Sequence, residues 1–159
     1  MRHITLSTCG VVPKMYELAK LKLQITLSVS LHAPNDEIRS RTMPINNKYN
    51  VNQLIKACRD YAKTTNRRIT FEYAMIDGVN DSDDCARELA QLIKGMLCHV
   101  NLIPVNNVNG TAYQKSKKKR LIDFSNILES YGVTATIRRT LGSDIDASCG
   151  QLRGKRLEE

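Results

Sequence analysis

Short apolar segments alternate with amphipathic segments along this chain, and the alternation is the strongest constraint on its fold. Five segments have the length and composition of buried strands, at residues 4–7, 24–31, 68–76, 99–105 and 133–139. Helical patterns separate them, at residues 13–19, 35–41, 52–62, 81–95 and 119–131. A strand, a crossover helix and a further strand make a βαβ unit, and repeated units give a parallel sheet. The sequence therefore predicts an α/β protein with about five mostly parallel strands and outer helices.

Five strands are too few to close the usual eight-stranded parallel barrel. We expect an open sheet or a partial barrel, which leaves two edge strands without a neighbour. Since an unpaired edge can pair with another chain, self-association through an exposed sheet edge is expected.

The size of the chain fits one globular domain. Its 159 residues divide into a domain at 1–152 and a tail at 153–159 that we expect to be disordered. No apolar run approaches the roughly 20 residues of a membrane span, and the first residues do not form a signal peptide. A cytoplasmic location without membrane attachment is therefore predicted.

The charge balance favours a polyanionic partner. Lysine and arginine total 24 against 16 aspartate and glutamate, which gives a net charge of +8 and a pI near 9.4. Residues 115–120 place five cations within six positions. This run is either a solvated entry to a helix or a surface that neutralises phosphates, and Arg138 and Arg139 could add a phosphate contact.

The five cysteines do not form a metal-binding pattern. They stand at positions 9, 58, 85, 98 and 149, so no two have the Cys-x-x-Cys spacing of a metal knuckle, and no metal ligands are predicted. Cys58, Cys85 and Cys98 fall on helix or strand patterns and are expected to be small buried hydrophobic residues. Cys149 differs, because it lies in a glycine-flanked polar turn after the last strand, where a thiol can be reached.

Polar and reactive side chains follow the strands at their carboxyl ends, where parallel α/β folds place their functional sites. They are Ser7, Ser30, His32, Asp77, Asn80, Asp81, Asn106 and Cys149. Structural alternatives exist: Ser7 could cap the next turn, His32 could be a hydrogen-bonded structural histidine, and Asn106 could form a turn. For residues 77–81 a turn and helix cap is the preferred interpretation. The set suits a polar small molecule without identifying it.

Seven motifs occur in one order along nearly the whole chain. They lie at residues 6–13 (LSTCGVVP), 30–36 (SLHAPND), 43–46 (MPIN), 71–73 (FEY), 78–81 (GVND), 101–104 (NLIP) and 144–152 (DIDASCGQL). In this order they resemble the C-terminal half of the RlmN/Cfr radical S-adenosylmethionine methyltransferases, which methylate an adenosine of large-subunit ribosomal RNA. The RlmN branch, which modifies C2 rather than C8 of the adenine, fits better.

The resemblance implies a partial (β/α)6 TIM-like radical S-adenosylmethionine barrel, of which this chain would be the C-terminal portion. The residues that it assigns to S-adenosylmethionine binding are Ser7, Ser30, Leu31, His32 and Asn106. Cys149 matches the cysteine that is itself methylated and passes its methyl carbon to the adenine. The implied function is C2 methylation of an adenosine in 23S ribosomal RNA, with transfer RNA as a second substrate. The implied second cofactor is a [4Fe–4S] cluster.

The chain departs from the family pattern in ways that bear on activity. The cluster-binding Cys-x3-Cys-x2-Cys motif, the second catalytic cysteine and a Gly-Glu cofactor contact are absent from the sequence. We therefore expect the cluster ligands to belong to the full-length parent and this part alone to be inactive. Cys9 replaces a residue that is usually serine or valine, and packing is expected for it rather than a role as a second thiol. Val105, Asn107 and Ser148 also differ from the usual residues.

Two other functions stay open. A stand-alone RNA- or nucleotide-binding module without catalysis would use the basic run at 115–120 and would not need Cys149. Another radical S-adenosylmethionine activity on the same partial barrel is also compatible, because a fold does not determine its substrate.

Overall fold

Strands and helices alternate along the chain as predicted. The computed structural model describes residues 4–105 and 112–139. The strands within them are β1 (Ile4–Thr8), β2 (Ile25–Ser30), β3 (Ile69–Met75), β4 (Cys98–Pro104) and β5 (Ala135–Ile137). The α-helices within them are α1 (Val12–Lys20), α2 (Asp36–Thr42), α3 (Val51–Thr65), α4 (Asp83–Ile93) and α5 (Lys118–Ser130), with a short 3-10 helix at Pro44–Asn47.

The strands form one parallel sheet. They follow one another across it in the order β1-β2-β3-β4-β5, and each neighbouring pair is parallel. Successive βαβ units produce this order when every crossover turns in the same direction. The predicted α/β class with parallel strands and outer helices is therefore confirmed. Among the described strands, β1 and β5 are the two edges of the sheet.

The core lies between the helices and one face of the sheet, which we call the outer face. Alternate strand residues point to it, because successive side chains in a strand point to opposite faces. Those that are at most 1% exposed are Leu27, Val29, Ile69, Phe71, Tyr73, Met75, Val100 and Leu102. The ring of Tyr73 packs on Phe124 of α5, with 5.2 Å between the ring centroids. Burying each such side chain contributes about 1.5–3 kcal/mol of stabilising free energy, which holds the helices against this face.

Most helices begin where the sequence supplies hydrogen bonds for their first N–H groups. Asn35 caps α2, Asn50 and Gln53 form a capping box at α3, and the Ser82 hydroxyl caps α4. α1 and α5 are different, since Val11 and Lys117 precede them without a side-chain cap. The start of α5 therefore depends more on packing against the sheet than on local hydrogen bonds.

The fifth strand is shorter than the predicted segment at 133–139: β5 has three residues. Gly132 has a φ of +77°, and the Val133 N–H donates to the Leu128 carbonyl at 3.0 Å. These residues therefore end α5 and do not extend the strand. The Thr134 carbonyl and the Arg138 N–H still bond to β4 on either side of β5.

The predictions on membrane spans and on the domain end are compared with the described residues alone. None of the helices within residues 4–105 and 112–139 combines the length and the apolarity needed to cross a membrane. The predicted domain end at residue 152 and the tail at 153–159 lie outside the described residues.

Candidate cofactor-binding face

The inner face of the sheet, opposite the helices, is polar. Its side chains alternate with the buried apolar ones and include Thr26, Ser28, Ser30, Thr70, Glu72, His99, Asn101, Thr134 and Thr136. Strand register aligns Ser30 with Glu72, Glu72 with Asn101, and Asn101 with Thr136. Residues aligned in this way share a face, so these four side chains form one row across the inner face.

Glu72 stands at the centre of a hydrogen-bond network on this face. Its Oε1 accepts from the Ser28 hydroxyl at 2.9 Å and from the Asn101 Nδ2 at 3.2 Å. The Thr136 hydroxyl donates to the Asn101 Oδ1 at 2.8 Å and so continues the network to β5. The other carboxylate oxygen, Oε2, is buried and has no hydrogen-bond partner in the structure as described. Sequence reasoning did not select Glu72, although the alternation of polar residues in β2, β3 and β4 was a usable signal.

His99 extends this network along β4. Its Nε2 lies 2.9 Å from the Thr136 Oγ1 and its Nδ1 lies 3.2 Å from the Thr134 Oγ1. Because the single Thr136 proton goes to Asn101, we assign the imidazole proton to Nε2, which donates to Thr136. Burial and the nearby Arg68 lower the pKa of His99, which favours this neutral form.

The two predicted serine sites lie at different depths. Ser30 is half-buried in the row that contains Glu72, whereas Ser7 is exposed on the edge strand and aligned with Ser28. Ser7 therefore lies at the exposed edge of the inner face. In the turn after β1, the Thr8 Oγ1 accepts the Gly10 N–H at 3.1 Å.

His32 sits just beyond β2 in a left-handed conformation, with a φ of +59°. Its Nδ1 accepts the Ala74 backbone N–H at 2.9 Å, so the ring proton belongs on Nε2. Burial, and next the charge of Arg39, lower the pKa of His32 to about 4. His32 is thus the hydrogen-bonded histidine that one interpretation predicted, and its neutral ring still offers an N–H donor at Nε2.

A buried arginine holds the ends of the first two strands. Arg39 donates from Nε to the Leu31 carbonyl at 3.1 Å, and from its terminal nitrogens to the Cys9 and Ser30 carbonyls at 2.8 and 3.2 Å and to Asn46. Leu31 is completely buried, so its side chain belongs to the core. Sequence reasoning missed Arg39, because an arginine in a short polar helix gives no signal of burial.

A second polar brace holds the end of β3. The Asn80 amide donates to the His32 and Ala74 carbonyls at 2.8 and 2.6 Å and accepts the Ile76 N–H at 2.8 Å. Asp81 accepts from the Gly78 N–H and from the Ser116 hydroxyl. The predicted turn at residues 77–81 is confirmed, whereas the predicted helix cap there is wrong, because Ser82 caps α4. The Asn80 side chain fixes the backbone at His32.

The described cysteines differ in exposure. Cys58 and Cys85 are buried as predicted, and burial raises the pKa of Cys58 to about 12. Cys98 is half-buried, and burial raises its pKa to about 11. The expected packing of Cys9 is wrong, since its side chain is exposed at the end of β1, where the chain leaves the sheet. Within residues 4–105 and 112–139, no group of three or more His, Cys, Asp or Glu side chains could hold a metal ion.

Two predicted site residues, Asn106 and Cys149, lie outside the described residues. The basic run is described, and Lys117, Lys118 and Lys119 are exposed at the start of α5. Arg120 forms a salt bridge with Asp83 at 2.8 Å. The three lysines therefore present their charge to solvent beside the rim where the strands end.

Comparison with known proteins supports the radical S-adenosylmethionine resemblance. The model of the radical SAM superfamily matches residues 1–91. A relative from Caldanaerobacter subterraneus subsp. tengcongensis, named "Probable dual-specificity RNA methyltransferase RlmN", is 58% identical over 158 residues, which are 99% of this chain and 46% of the relative. A relative of the same name from Clostridium novyi is 60% identical over 152 residues, covering 96% of this chain and 44% of its own length. The chain thus spans about half the length of the curated relatives it matches.

Solved structures agree with this placement. The crystal structure of a radical SAM methyltransferase from Sphaerobacter thermophilus superposes with a TM-score of 0.90 at 51% identity, covering 93% of this chain and 43% of that one. A domain of pyruvate-formate lyase-activating enzyme from Bacteroides vulgatus shares the fold alone, with a TM-score of 0.67 at 17% identity, covering 86% of this chain and 81% of that one. The parallel sheet, the family model and these similarities confirm the predicted resemblance to RlmN-type methyltransferases, and the chain belongs to the radical SAM superfamily.

Proposed function

We propose that this chain is the part of an RlmN-type methyltransferase that binds S-adenosylmethionine and carries the methylated cysteine, Cys149. The reaction is methylation of C2 of an adenosine in 23S ribosomal RNA, with transfer RNA as a second substrate and the cytoplasm as its location. The observation that carries the proposal is identity of 58% over 99% of the chain to a relative named as a dual-specificity RNA methyltransferase.

The inner face and its rim suit S-adenosylmethionine. When bound, this cofactor supplies the methyl group and the radical chemistry of the superfamily. Ser7 and Ser30 offer hydroxyl groups, and His32 offers its Nε2 proton while its Nδ1 is held by Ala74. The neutral state of His32 suits a donor that faces a cationic ligand, because it adds no positive charge. We assign Leu31 a backbone contact and Asn106 a side-chain contact with the same cofactor.

The described residues do not fit a [4Fe–4S] cluster, because no group of three or more His, Cys, Asp or Glu side chains among them could hold a metal. The sequence also lacks the Cys-x3-Cys-x2-Cys motif. The proposal therefore places the cluster ligands on a segment outside this chain, in the full-length parent. The chain by itself is then unable to transfer a methyl group.

Exposed lysines at the start of α5 support an RNA partner. Positive charge at a helix N-terminus is unfavourable, because the N-terminal end of the helix dipole is itself positive. Lys117, Lys118 and Lys119 nevertheless stand there, at the same rim as Ser30 and His32. Contacts with RNA phosphates would offset this cost. The same observation favours the second candidate, a stand-alone RNA-binding module without catalysis.

Methyl analysis of RNA in cells tests the enzymatic proposal. A strain that lacks its own adenosine C2 methyltransferase would receive the complete reading frame that contains this chain, its Cys149→Ala variant, or this chain alone. Mass spectrometry of 23S ribosomal RNA and transfer RNA should show 2-methyladenosine only with the complete, unsubstituted protein. Cys9→Ser, at an exposed thiol, is the matched control and should retain methylation. Methylation by Cys149→Ala or by this chain alone would contradict the proposal.

RNA binding separates the two candidates. Replacing Lys117, Lys118 and Lys119 with glutamine should weaken RNA binding and make it less dependent on salt concentration, because fewer counterions are released. If the complete protein binds RNA through these lysines but never methylates it, the binding module is the better description.

A further inference from the structure

We infer that Glu72 is a binding residue for S-adenosylmethionine, whose N–H or O–H group donates a hydrogen bond to the Glu72 Oε2. This inference rests on the proposed function and adds a residue that neither the sequence motifs nor the comparisons assign to the cofactor.

The observation behind it is an unused acceptor. Among side-chain nitrogen and oxygen atoms of the described residues, the Glu72 Oε2 is the one that is buried without a hydrogen-bond partner. A buried acceptor without a donor is costly, and most such atoms in folded proteins are satisfied by a ligand, a water or another side chain. The first oxygen, Oε1, already accepts from Ser28 and Asn101, which fixes the direction of the carboxylate.

The position of Glu72 adjoins the proposed cofactor residues. It is aligned with Ser30 across the strands, on the same face. Its backbone carbonyl accepts the N–H groups of Leu31 and His32 at 3.1 and 3.3 Å. The carboxylate therefore lies one strand away from the residues proposed to hold S-adenosylmethionine, and two backbone bonds tie their positions together.

The negative charge of Glu72 favours S-adenosylmethionine over RNA as the ligand that donates a hydrogen bond to its Oε2. The cofactor carries a sulfonium, an ammonium, two ribose hydroxyls and an adenine amine, so it combines positive charge with several donors. A carboxylate in a partly buried site attracts such a ligand, whereas it repels the phosphates of an RNA strand. Carboxylates that accept from ribose hydroxyls are a known solution in nucleotide-binding folds.

Glu72→Gln in the complete protein tests the inference, because glutamine keeps the shape and removes the charge. Equilibrium dialysis with S-adenosylmethionine should show binding weakened by roughly tenfold or more, the usual loss for one hydrogen bond to a charged group. The matched control is Glu129→Gln, at an exposed carboxylate on the far end of α5, and it should bind as the unsubstituted protein does.

Thermal unfolding separates a binding role from a structural one. Without the cofactor, Glu72→Gln should unfold at the same temperature as the unsubstituted protein or higher, because a buried negative charge is removed. With saturating S-adenosylmethionine, the rise in unfolding temperature should be smaller for the variant. If Glu72→Gln does not fold, Glu72→Asp is measured instead, since it keeps the charge and withdraws the carboxylate by one methylene; it should weaken binding as well.

The outcomes separate this inference from the proposed function. Normal cofactor affinity in the Glu72 variant, or weakened RNA binding with normal cofactor affinity, would overturn the inference and leave the proposed function standing. A lower unfolding temperature in the absence of cofactor with unchanged affinity would assign Glu72 a structural role and overturn it too. Failure of the unsubstituted protein to bind S-adenosylmethionine would overturn both.

Discussion

The two faces of the sheet are built from the same strands but differ in chemistry: the outer face is apolar and the inner face is polar. In β3, Phe71 and Tyr73 point to the helices and are completely buried in the apolar core. Glu72, between them, points to the inner face and joins Ser28 and Asn101 in a polar network. Alternation along a strand allows one segment to stabilise the fold on one side and to bind a polar ligand on the other. The comparison predicts that substitutions on the two faces have effects of very different size.

The largest expected effect is on the outer face. Phe71→Ala should lower the free energy of unfolding by about 3–5 kcal/mol, because it removes a buried ring and leaves a cavity. Ser28→Ala on the inner face removes a single donor to Glu72 and should cost about 1 kcal/mol. Urea denaturation of both variants measures the difference. Equal losses for the two variants would contradict the division of the sheet into an apolar face that stabilises the fold and a polar face that contributes little to stability.

Arg39 should behave like a core residue although it is charged. Arg39→Met leaves the Cys9, Ser30 and Leu31 carbonyls without their donor and should cost about 3 kcal/mol of unfolding free energy. Arg41→Met, on the exposed side of the same helix, removes only a surface ion pair with Glu37 and should cost less than about 0.5 kcal/mol. A small loss for Arg39→Met would show that the strand ends keep their positions without this brace.

The His32 imidazole gives the inner rim a pH dependence. Its folded-state pKa of about 4 lies below the unfolded value of 6.5, so the unfolded chain takes up a proton first as the pH falls. The stability contributed by neutral His32 is therefore complete above pH 6.5 and is lost as the pH falls toward 4, by about 3 kcal/mol at most.

His32→Asn is the variant that isolates this dependence. Asparagine tolerates the left-handed backbone and offers an oxygen to the Ala74 N–H, but it does not titrate. Denaturation at pH 7 and pH 4.5 should show a smaller loss of stability on acidification in the variant than in the unsubstituted protein. An unchanged loss would mean that other groups carry the acid sensitivity.

The smallest expected effect is at the start of α5, where three lysines oppose the helix dipole. Lys118→Glu should raise the free energy of unfolding by roughly 0.5 kcal/mol and weaken RNA binding. Lys20→Glu, in the last turn of α1, makes the same change where positive charge is favourable, and it should lower stability by a similar amount. Opposite signs in the two variants, measured by thermal unfolding, would show that the α5 lysines stand against the helix dipole at a cost in stability. Equal signs would contradict that interpretation.

The elements of the fold could be predicted because their signals are local. The cap at Asn35, the acidic start of α4 after Ser82 and the β-branched run of β2 all act within a few residues of one another. The fifth strand was predicted too long, because Gly132 and Val133 close the end of α5 and this depends on where the helix stops. The exposure of Cys9 was missed for a similar reason, since it depends on where the chain leaves β1, an edge strand of the sheet.

The site was predicted only in part. Ser30 and His32 could be selected because both follow a strand in a motif, and the structure places them at the same rim. Glu72 was not selected, although the alternation of polar residues along its strand was a usable signal; its hydrogen-bond partners lie 29 to 44 residues away along the chain. Arg39 could not be selected, because its partners lie 7 to 30 residues away and its own helix gives no signal of burial. A polar residue inside a strand or a short helix gives no sign of which side chains will surround it.

The sequence by itself determined the alternating βαβ order, the parallel sheet and the resemblance to radical S-adenosylmethionine methyltransferases, because hydrophobic period, caps and motifs are properties of neighbouring residues. Only the tertiary structure decided which polar side chains meet on the inner face, that Arg39 is buried, that His32 keeps its proton on Nε2, and that one oxygen of Glu72 is left without a donor. These features depend on contacts between segments far apart in the chain. Burial at those contacts strengthens each hydrogen bond and makes each unpaired polar group costly.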